Sequence, residues 1–206
     1  MMTTKVAPRP RVGGLTPMTT IDYPDHLAAV IYCQGCPLRC EYCHNPELLS
    51  HRKKTSIRWP EIIEFLEARK GLLEAVVFSG GEPTLQNELP EAVDEIKKMG
   101  YLIGLHTAGV YPERFAKLLP RLDWVGLDIK ALAEDYQALT GAPAAGESAW
   151  KCAQMLVSSG LPHQIRTTRH PLNTTPEKQQ LLIERLAAFG KTNHVWQTCR
   201  PVNGHA

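Results

Sequence analysis

Short apolar runs recur along this chain at intervals that suit alternating strands and helices. "AAVIYC" (28–33), "AVVFSG" (75–80), "YLIGLH" (101–106), "WVGLDIK" (124–130), "HQIRTT" (163–168) and "HVWQT" (194–198) are short and rich in apolar or β-branched residues, and predict six strands. Between them apolar residues repeat at spacings of three and four: Ile62, Ile63 and Leu66; Leu89, Val93 and Ile96; Phe115, Leu118 and Leu119; Ala149, Cys152 and Leu156; Leu182, Leu186 and Phe189. Each set draws one core-facing stripe along a helix. Pro60 and Pro176 stand where helices should begin, and Gly71, Gly100, Gly160 and Gly190 where they should stop.

Near-continuous apolar strands separated by helices imply a parallel sheet, because parallel neighbours need crossovers and the crossovers bring helices onto the sheet. Six such units are too few for a closed (βα)8 barrel. They suit a partial (βα)6 barrel or a doubly wound sheet, and either α/β fold binds ligands beyond the carboxyl ends of its strands. The expected organisation is one domain: a Pro/Gly/Thr-rich lead-in over 1–27 packing on the core, the βα core over 28–201, and a tail over 202–206. The longest stretch without periodicity, "ALAEDYQALTGAPAAGES" after the fourth predicted strand, reads as a surface loop.

Composition narrows little. A chain of 206 residues can bury a core without staples, and a net charge of +2 points to neither a nucleic-acid nor a membrane partner. The N-terminus lacks the apolar segment of a secretory signal and no run approaches the length of a membrane span, so the expected location is the cytoplasm. Six cysteines matter more, since four of them crowd into "CQGCPLRCEYC" (33–43). In a reducing compartment such crowding favours metal ligation over disulfides.

The spacing admits two readings. Four thiolates can close a site, although Cys36 and Cys40 are too near each other for the paired turns of structural zinc, and the run does not match the ferredoxins. Alternatively Cys36-x3-Cys40-x2-Cys43 supplies three ligands and leaves a metal position open, with Cys33 a small buried hydrophobe of the first strand. Other unusual residues also follow strand ends: "GGEP" (80–83), "HTAG" (106–109), Asp128 and Lys130, which share a face, and Arg166, whose guanidinium suits a carboxylate. Cys152 falls on a helix stripe and reads as core.

Cys36-x3-Cys40-x2-Cys43 with Tyr42 before its last cysteine, followed by "GGEP" at the end of the second strand, resembles the radical S-adenosylmethionine (SAM) superfamily. That resemblance implies one 4Fe-4S cluster on Cys36, Cys40 and Cys43, with SAM on the fourth iron, cleaved to methionine and a 5′-deoxyadenosyl radical. It also implies that Tyr42 lies near the adenine, that the strand end Ser79-Gly80-Gly81-Glu82 receives the methionine amino group, and that Lys130 meets the cofactor carboxylate. Read from the residues themselves, Asp128 on the face of Lys130, His106 as a hydrogen-bonding partner for a ribose hydroxyl, and Arg166 as a carboxylate fork are further candidate cofactor contacts. No side-chain acid or base is required beyond cluster and cofactor.

"TTIDYP", "CHNPELL" and "GLDIK" further resemble the glycyl-radical activating enzymes, most closely the branch that serves anaerobic ribonucleoside-triphosphate reductase. The resemblance runs from about Val12 to Pro201. It implies a glycyl-radical enzyme as protein substrate and flavodoxin or ferredoxin as electron donor. Where the activases of pyruvate formate-lyase carry Asp-Thr-Asn-Gly this chain has His106-Thr107-Ala108-Gly109, and "QTCRP" with Arg200 replaces their C-terminal histidine, so ribose contacts are not carried over. His44 and Asn45 stand close enough to the last cysteine to shape its surroundings; Cys199, Arg169 and His170 receive no role. The rival readings are an activase of another glycyl-radical enzyme such as pyruvate formate-lyase, a small-molecule enzyme like 7-carboxy-7-deazaguanine synthase, and a zinc-binding interaction module.

Overall fold

The computed structural model describes residues 9–55 and 57–199, and Arg200 and the expected tail lie outside them. One seven-stranded sheet runs in the order β1-β2-β3-β4-β5-β6-β7. Strands β2 (Ala28–Cys33), β3 (Ala75–Gly80), β4 (Leu102–Thr107), β5 (Trp124–Asp128), β6 (His163–Thr168) and β7 (His194–Gln197) each pair in parallel with the next. These are the six expected strands, three with the expected bounds and three with ends shifted by one or two residues. Spatial order equals chain order, so no point exists where the direction of winding reverses, as a doubly wound sheet requires. The fold is a partial barrel, with β1 and β7 as the outermost strands of the sheet among the described residues.

The seventh strand corrects the expected lead-in. Residues Val12–Thr19 form β1, antiparallel to β2 with irregular register at two places. "VGGLTPMT" shows no strand signal because it holds two glycines and Pro17, which an edge strand tolerates; away from β2 the described residues give it only an isolated bridge, Val12 to Ile57. From its end, residues 20–26 cross the concave face of the sheet. There Tyr23 is buried with Ala28, Val30, Ala75, Val77 and Trp124.

The opposite face carries the main core. Ile31, Val76, Phe78, Ile103, Leu105, Val125, Leu127 and Ile165 point outward against helices α1 (Trp59–Glu67), α2 (Leu89–Lys98), α3 (Pro112–Leu118), α4 (Tyr136–Thr140), α5 (Ala145–Ser159) and α6 (Pro176–Ala187). The helical stripes meet them as the periodicity predicts, with Ile62, Leu66, Ile96, Phe115, Leu156 and Leu186 at 1% exposure or less. Thr175 caps α6, with Pro176 in its first turn, and α5 ends at Gly160 in the left-handed conformation that a closing turn needs.

The stretch after β5 is not a surface loop. It folds into a 3-10 turn, α4 and the first turn of α5, and Ala131, Tyr136 and Thr140 are fully buried. Small residues permit this packing: a Cβ on Gly146 would stand 2.2 Å from the carbonyl oxygen of Ala133. Alanine and glycine at such contacts leave no hydrophobic period to read.

Candidate functional site

The cysteine-bearing loop leaves β2 at Cys33 and is fastened to its neighbours by backbone. Gly81 N–H donates to Cys33 O (2.9 Å), Glu82 N–H to Gly35 O (2.8 Å), and Gly35 and Cys36 N–H to Leu48 and Leu49 O (2.7 and 3.1 Å). The Arg39 guanidinium donates to the carbonyls of Cys36 and Leu38, both at 2.8 Å. The glycines of "GGEP" serve this junction. A Cβ on Gly80 would lie 2.5 Å from Cys33 N, and one on Gly81 would lie 2.3 Å from Gly35 O.

Glu82 completes the junction from inside. Its carboxylate, fully buried, accepts from Thr84 N–H and Oγ1–H, from Thr107 Oγ1–H (2.6 Å) and from Ala108 N–H (2.8 Å). The motif thus ties the ends of β2, β3 and β4 together, and the acid does not line the cavity they surround.

That cavity, about 720 Å3, opens at the carboxyl ends of the strands and is lined by Cys36, Cys40, Tyr42, Cys43, His44, Asn45, Ser79, Gly80, Gly81, His106, Asp128, Lys130 and Arg166 among others. Of the expected site residues, only Glu82 is absent from the wall. Cys33 is absent too: it is fully buried on the helix side of the sheet, and burial pushes its thiol well up. Cys152 is likewise buried core, and Cys199 sits partly exposed beyond β7.

Among the described residues, no three His, Cys, Asp or Glu side chains are arranged to hold a single metal ion. A cubane cluster asks for a different arrangement, one thiolate on each of three irons. The donor set fits such a group. Burial pushes the Cys36 thiol up to about 12, and it raises Cys40 as well, against the pull of Lys130. Thiols so placed become ligands when cations compensate their charge. Tyr42 Oη is buried without a hydrogen-bond partner beside them, a polar atom left for something the cavity receives.

A charged group forms the facing wall. Arg166 Nε donates to Asp128 Oδ1 (2.9 Å) and Lys130 Nζ stands 3.6 Å from Asp128 Oδ2. Burial alone would raise the Asp128 carboxyl, but Arg166, Lys130 and His106 outweigh it and hold it below its usual range. Burial works against the Lys130 ammonium too, and its neighbours, Tyr42 and Asp128 foremost, keep it protonated. The Arg166 guanidinium lies across Gly126, where a Cβ would come within 2.9 Å of its Cζ. His106 Nε2–H donates to Asp22 O (2.9 Å), and burial followed by the Arg166 charge lowers its pKa to about 4.

Three residues were not expected. Asp22, from the crossing segment, lines the cavity and anchors His106. Tyr136 Oη accepts from Lys130 N–H (2.9 Å). Asn173, 2% exposed, donates through its amide to Lys130 O (2.8 Å) and Thr168 O (2.9 Å) while accepting from His170 N–H (2.9 Å). His170 in turn meets Glu41 of the cysteine loop at 3.2 Å, and Arg169 stacks on Trp196. These contacts join segments far apart in sequence, and no periodicity or motif marks them.

Comparison with known proteins agrees with this geometry. The Radical SAM superfamily model matches residues 30–185. A protein of Methanocaldococcus jannaschii described as a glycyl-radical enzyme activating enzyme is 38% identical over 136 residues, 61% of this chain and 52% of that protein. A pyruvate formate-lyase-activating enzyme of Clostridium pasteurianum is 33% identical, over 64% of this chain and 57% of its own length. A PqqA peptide cyclase of Granulibacter bethesdensis is 28% identical, over 85% and 47%. The chain therefore spans about half the length of these relatives. Streptococcus suis SuiB bound to S-adenosylmethionine shares the fold, with a TM-score of 0.68 at 16% identity over 85% of this chain and 41% of that one.

Proposed function

Because this chain belongs to the radical SAM superfamily, we propose that it is an activase that generates a glycyl radical on a partner enzyme, most specifically anaerobic ribonucleoside-triphosphate reductase. The observation that carries the reading is the single cavity in which three cysteines of the family spacing face Lys130, Asp128, Arg166 and the Ser79–Gly81 strand end. When bound, a 4Fe-4S cluster and SAM would supply the chemistry: one-electron cleavage to methionine and a 5′-deoxyadenosyl radical that takes hydrogen from a glycine.

The residues of the chain bind and orient. Cys36, Cys40 and Cys43 would hold the cluster. Lys130, kept protonated and fixed through its own backbone by Tyr136 and Asn173, offers a cation to the cofactor carboxylate. Asp128 holds Lys130 and Arg166 on that wall. Ser79, Gly80 and Gly81 present the strand end to the amino group, while Glu82 acts from behind by fixing that strand end. Tyr42 offers its ring and its unpartnered hydroxyl to the adenosyl half. His106, neutral at working pH, contributes a hydrogen-bonding nitrogen rather than a charge.

The curated relatives named for glycyl-radical activation favour this over the small-molecule reading. The decisive experiment incubates reconstituted, reduced protein with SAM and the candidate reductase and looks for a glycyl radical by electron paramagnetic resonance. A glycyl doublet is expected. SAM cleavage without any protein radical, with this reductase or with pyruvate formate-lyase, refutes the activase reading.

A further inference from the structure

A cavity that receives a glycine-bearing protein through its mouth leaves the electron for that reaction to enter elsewhere. The cysteine loop has another side. Two backbone rungs, Gly35 to Leu48 and Cys36 to Leu49, and a side-chain bond from Gln34 Nε2 to Ser50 O (2.8 Å) bind the following segment directly to it. His51 fills the space beside Gly35, its Cβ 3.2 Å from where a Gly35 Cβ would stand. Leu49 is the last residue of the segment to line the cavity; residues 51–54 are exposed and outside it.

Those exposed residues are His51, Arg52, Lys53 and Lys54. Among the described residues, none of the three cations has a carboxylate partner; Lys97 with Asp123, Arg121 with Asp94 and Arg185 with Glu134 do, while Lys98, Lys117 and Lys191 also lack one but stand singly or apart from the cysteine loop. Arg11 adds a further cation, its guanidinium donating to Lys53 O, and Arg39 puts another on the cysteine loop itself. Glu47 is the one acid between Cys43 and Arg58. On a chain of net charge +2 such a run is usually a solvated surface, but this one is uncompensated and hydrogen-bonded through two residues to the backbone of Cys36.

Resting on the functional reading above, we propose that Arg52, Lys53 and Lys54, with Arg11 and Arg39, form the docking face for an acidic one-electron carrier protein of the flavin or iron–sulfur class. The carrier loses one electron and the centre held by the cysteines gains it; no atom is transferred. Cations on the carrier's approach raise its encounter rate and fix its orientation, and both effects weaken with salt. No aromatic residue interleaves the cations, so the face lacks the stacking surface that single-stranded nucleic acid uses.

The test compares two reductants on the reconstituted full chain. With reduced flavodoxin as probe, the triple variant Arg52→Glu/Lys53→Glu/Lys54→Glu is expected to cleave SAM at least about tenfold more slowly than wild type, and the wild-type rate to fall with salt. Oxidised flavodoxin should also bind the variant more weakly in titration. With dithionite the two proteins should cleave SAM equally, which establishes that the variant is folded and loaded. Equal rates in the flavodoxin arm overturn the docking face while leaving the activase reading intact. So does a variant that loses only glycyl-radical partner binding, or only binding to a DNA duplex. Failure of wild type to cleave SAM even with dithionite overturns the functional reading and this one together.

Discussion

Glu82 shows how a residue can belong to a motif that borders a cavity without lining the cavity itself. Its buried carboxylate accepts four hydrogen bonds from Thr84, Thr107 and Ala108. Removing it strands two hydroxyls and two backbone N–H groups, and hydrogen bonds to a charged group contribute about 1.5–3 kcal/mol each. Glu82→Ala should therefore lower stability by at least about 3 kcal/mol in urea unfolding. Glu82→Gln should recover only part of this, because its amide NH2 would face a second donor, either Ala108 N–H or Thr84 N–H. An unchanged midpoint for Glu82→Ala would refute the junction role. At the same scale the cysteines divide cleanly: Ala at Cys36, Cys40 or Cys43 should abolish iron loading and SAM cleavage, whereas Cys33→Ala should keep most of both. Spacing made the three cysteines legible, since neighbours in sequence share one loop. The structural role of the Glu82 side chain was not legible, because Thr107 and Ala108, its partners, stand 25 and 26 residues away on another strand end.

At the scale of elements, what fixes the site is where backbones touch. The end of β3 crosses the cysteine loop so closely that a methyl group at Gly81 would overlap Gly35 O at 2.3 Å, and neither side is a flexible side chain that can yield. Gly81→Ala should push the loop off the strand end, lowering both the melting temperature and the iron retained per chain after reconstitution. Gly100→Ala is the control. It carries a positive φ (+97°), which Gly81 does not, and meets nothing within 4 Å, so Ala there should cost about 1 kcal/mol through backbone strain alone and leave iron content unchanged. Equal iron loading in the two variants would show that the contact does not hold the loop. The long amphipathic helices and the β-branched strands were legible because burial on one face imposes a period. β1 and α4 were not. The first is an edge strand that tolerates Gly13, Gly14 and Pro17, and the second is a five-residue helix whose buried residues sit among alanines and glycines. Asn173 and Tyr136, which steady Lys130 from the turn after β6 and from α4, were illegible for the same reason as the partners of Glu82: the fold alone brings them together.

Across the whole molecule the concave face changes character along its length. Tyr23, Val77 and Trp124 fill one end, and Asp22, His106, Asp128, Lys130 and Arg166 gather at the other. Two carboxylates face two cations there, and His106 enters this balance neutral, its ring edge against Trp124 and its Nε2–H on the Asp22 carbonyl. Its pKa is lowered from 6.5 to about 4, chiefly by burial and then by Arg166, against the opposite pull of Asp128 and Asp22. As pH falls through 6.5 the unfolded chain binds a proton that the folded chain refuses, so stability present above that value declines until the folded state also protonates near 4. The full loss is about 3 kcal/mol. His106→Gln removes the titration while its amide can still donate to Asp22 O. Urea unfolding at pH 7, 5.5 and 4.5 should show wild type losing stability faster than the variant over that window, so that the gap between them narrows or changes sign on acidification. A gap that stays constant with pH would mean that His106 is not held neutral inside the barrel.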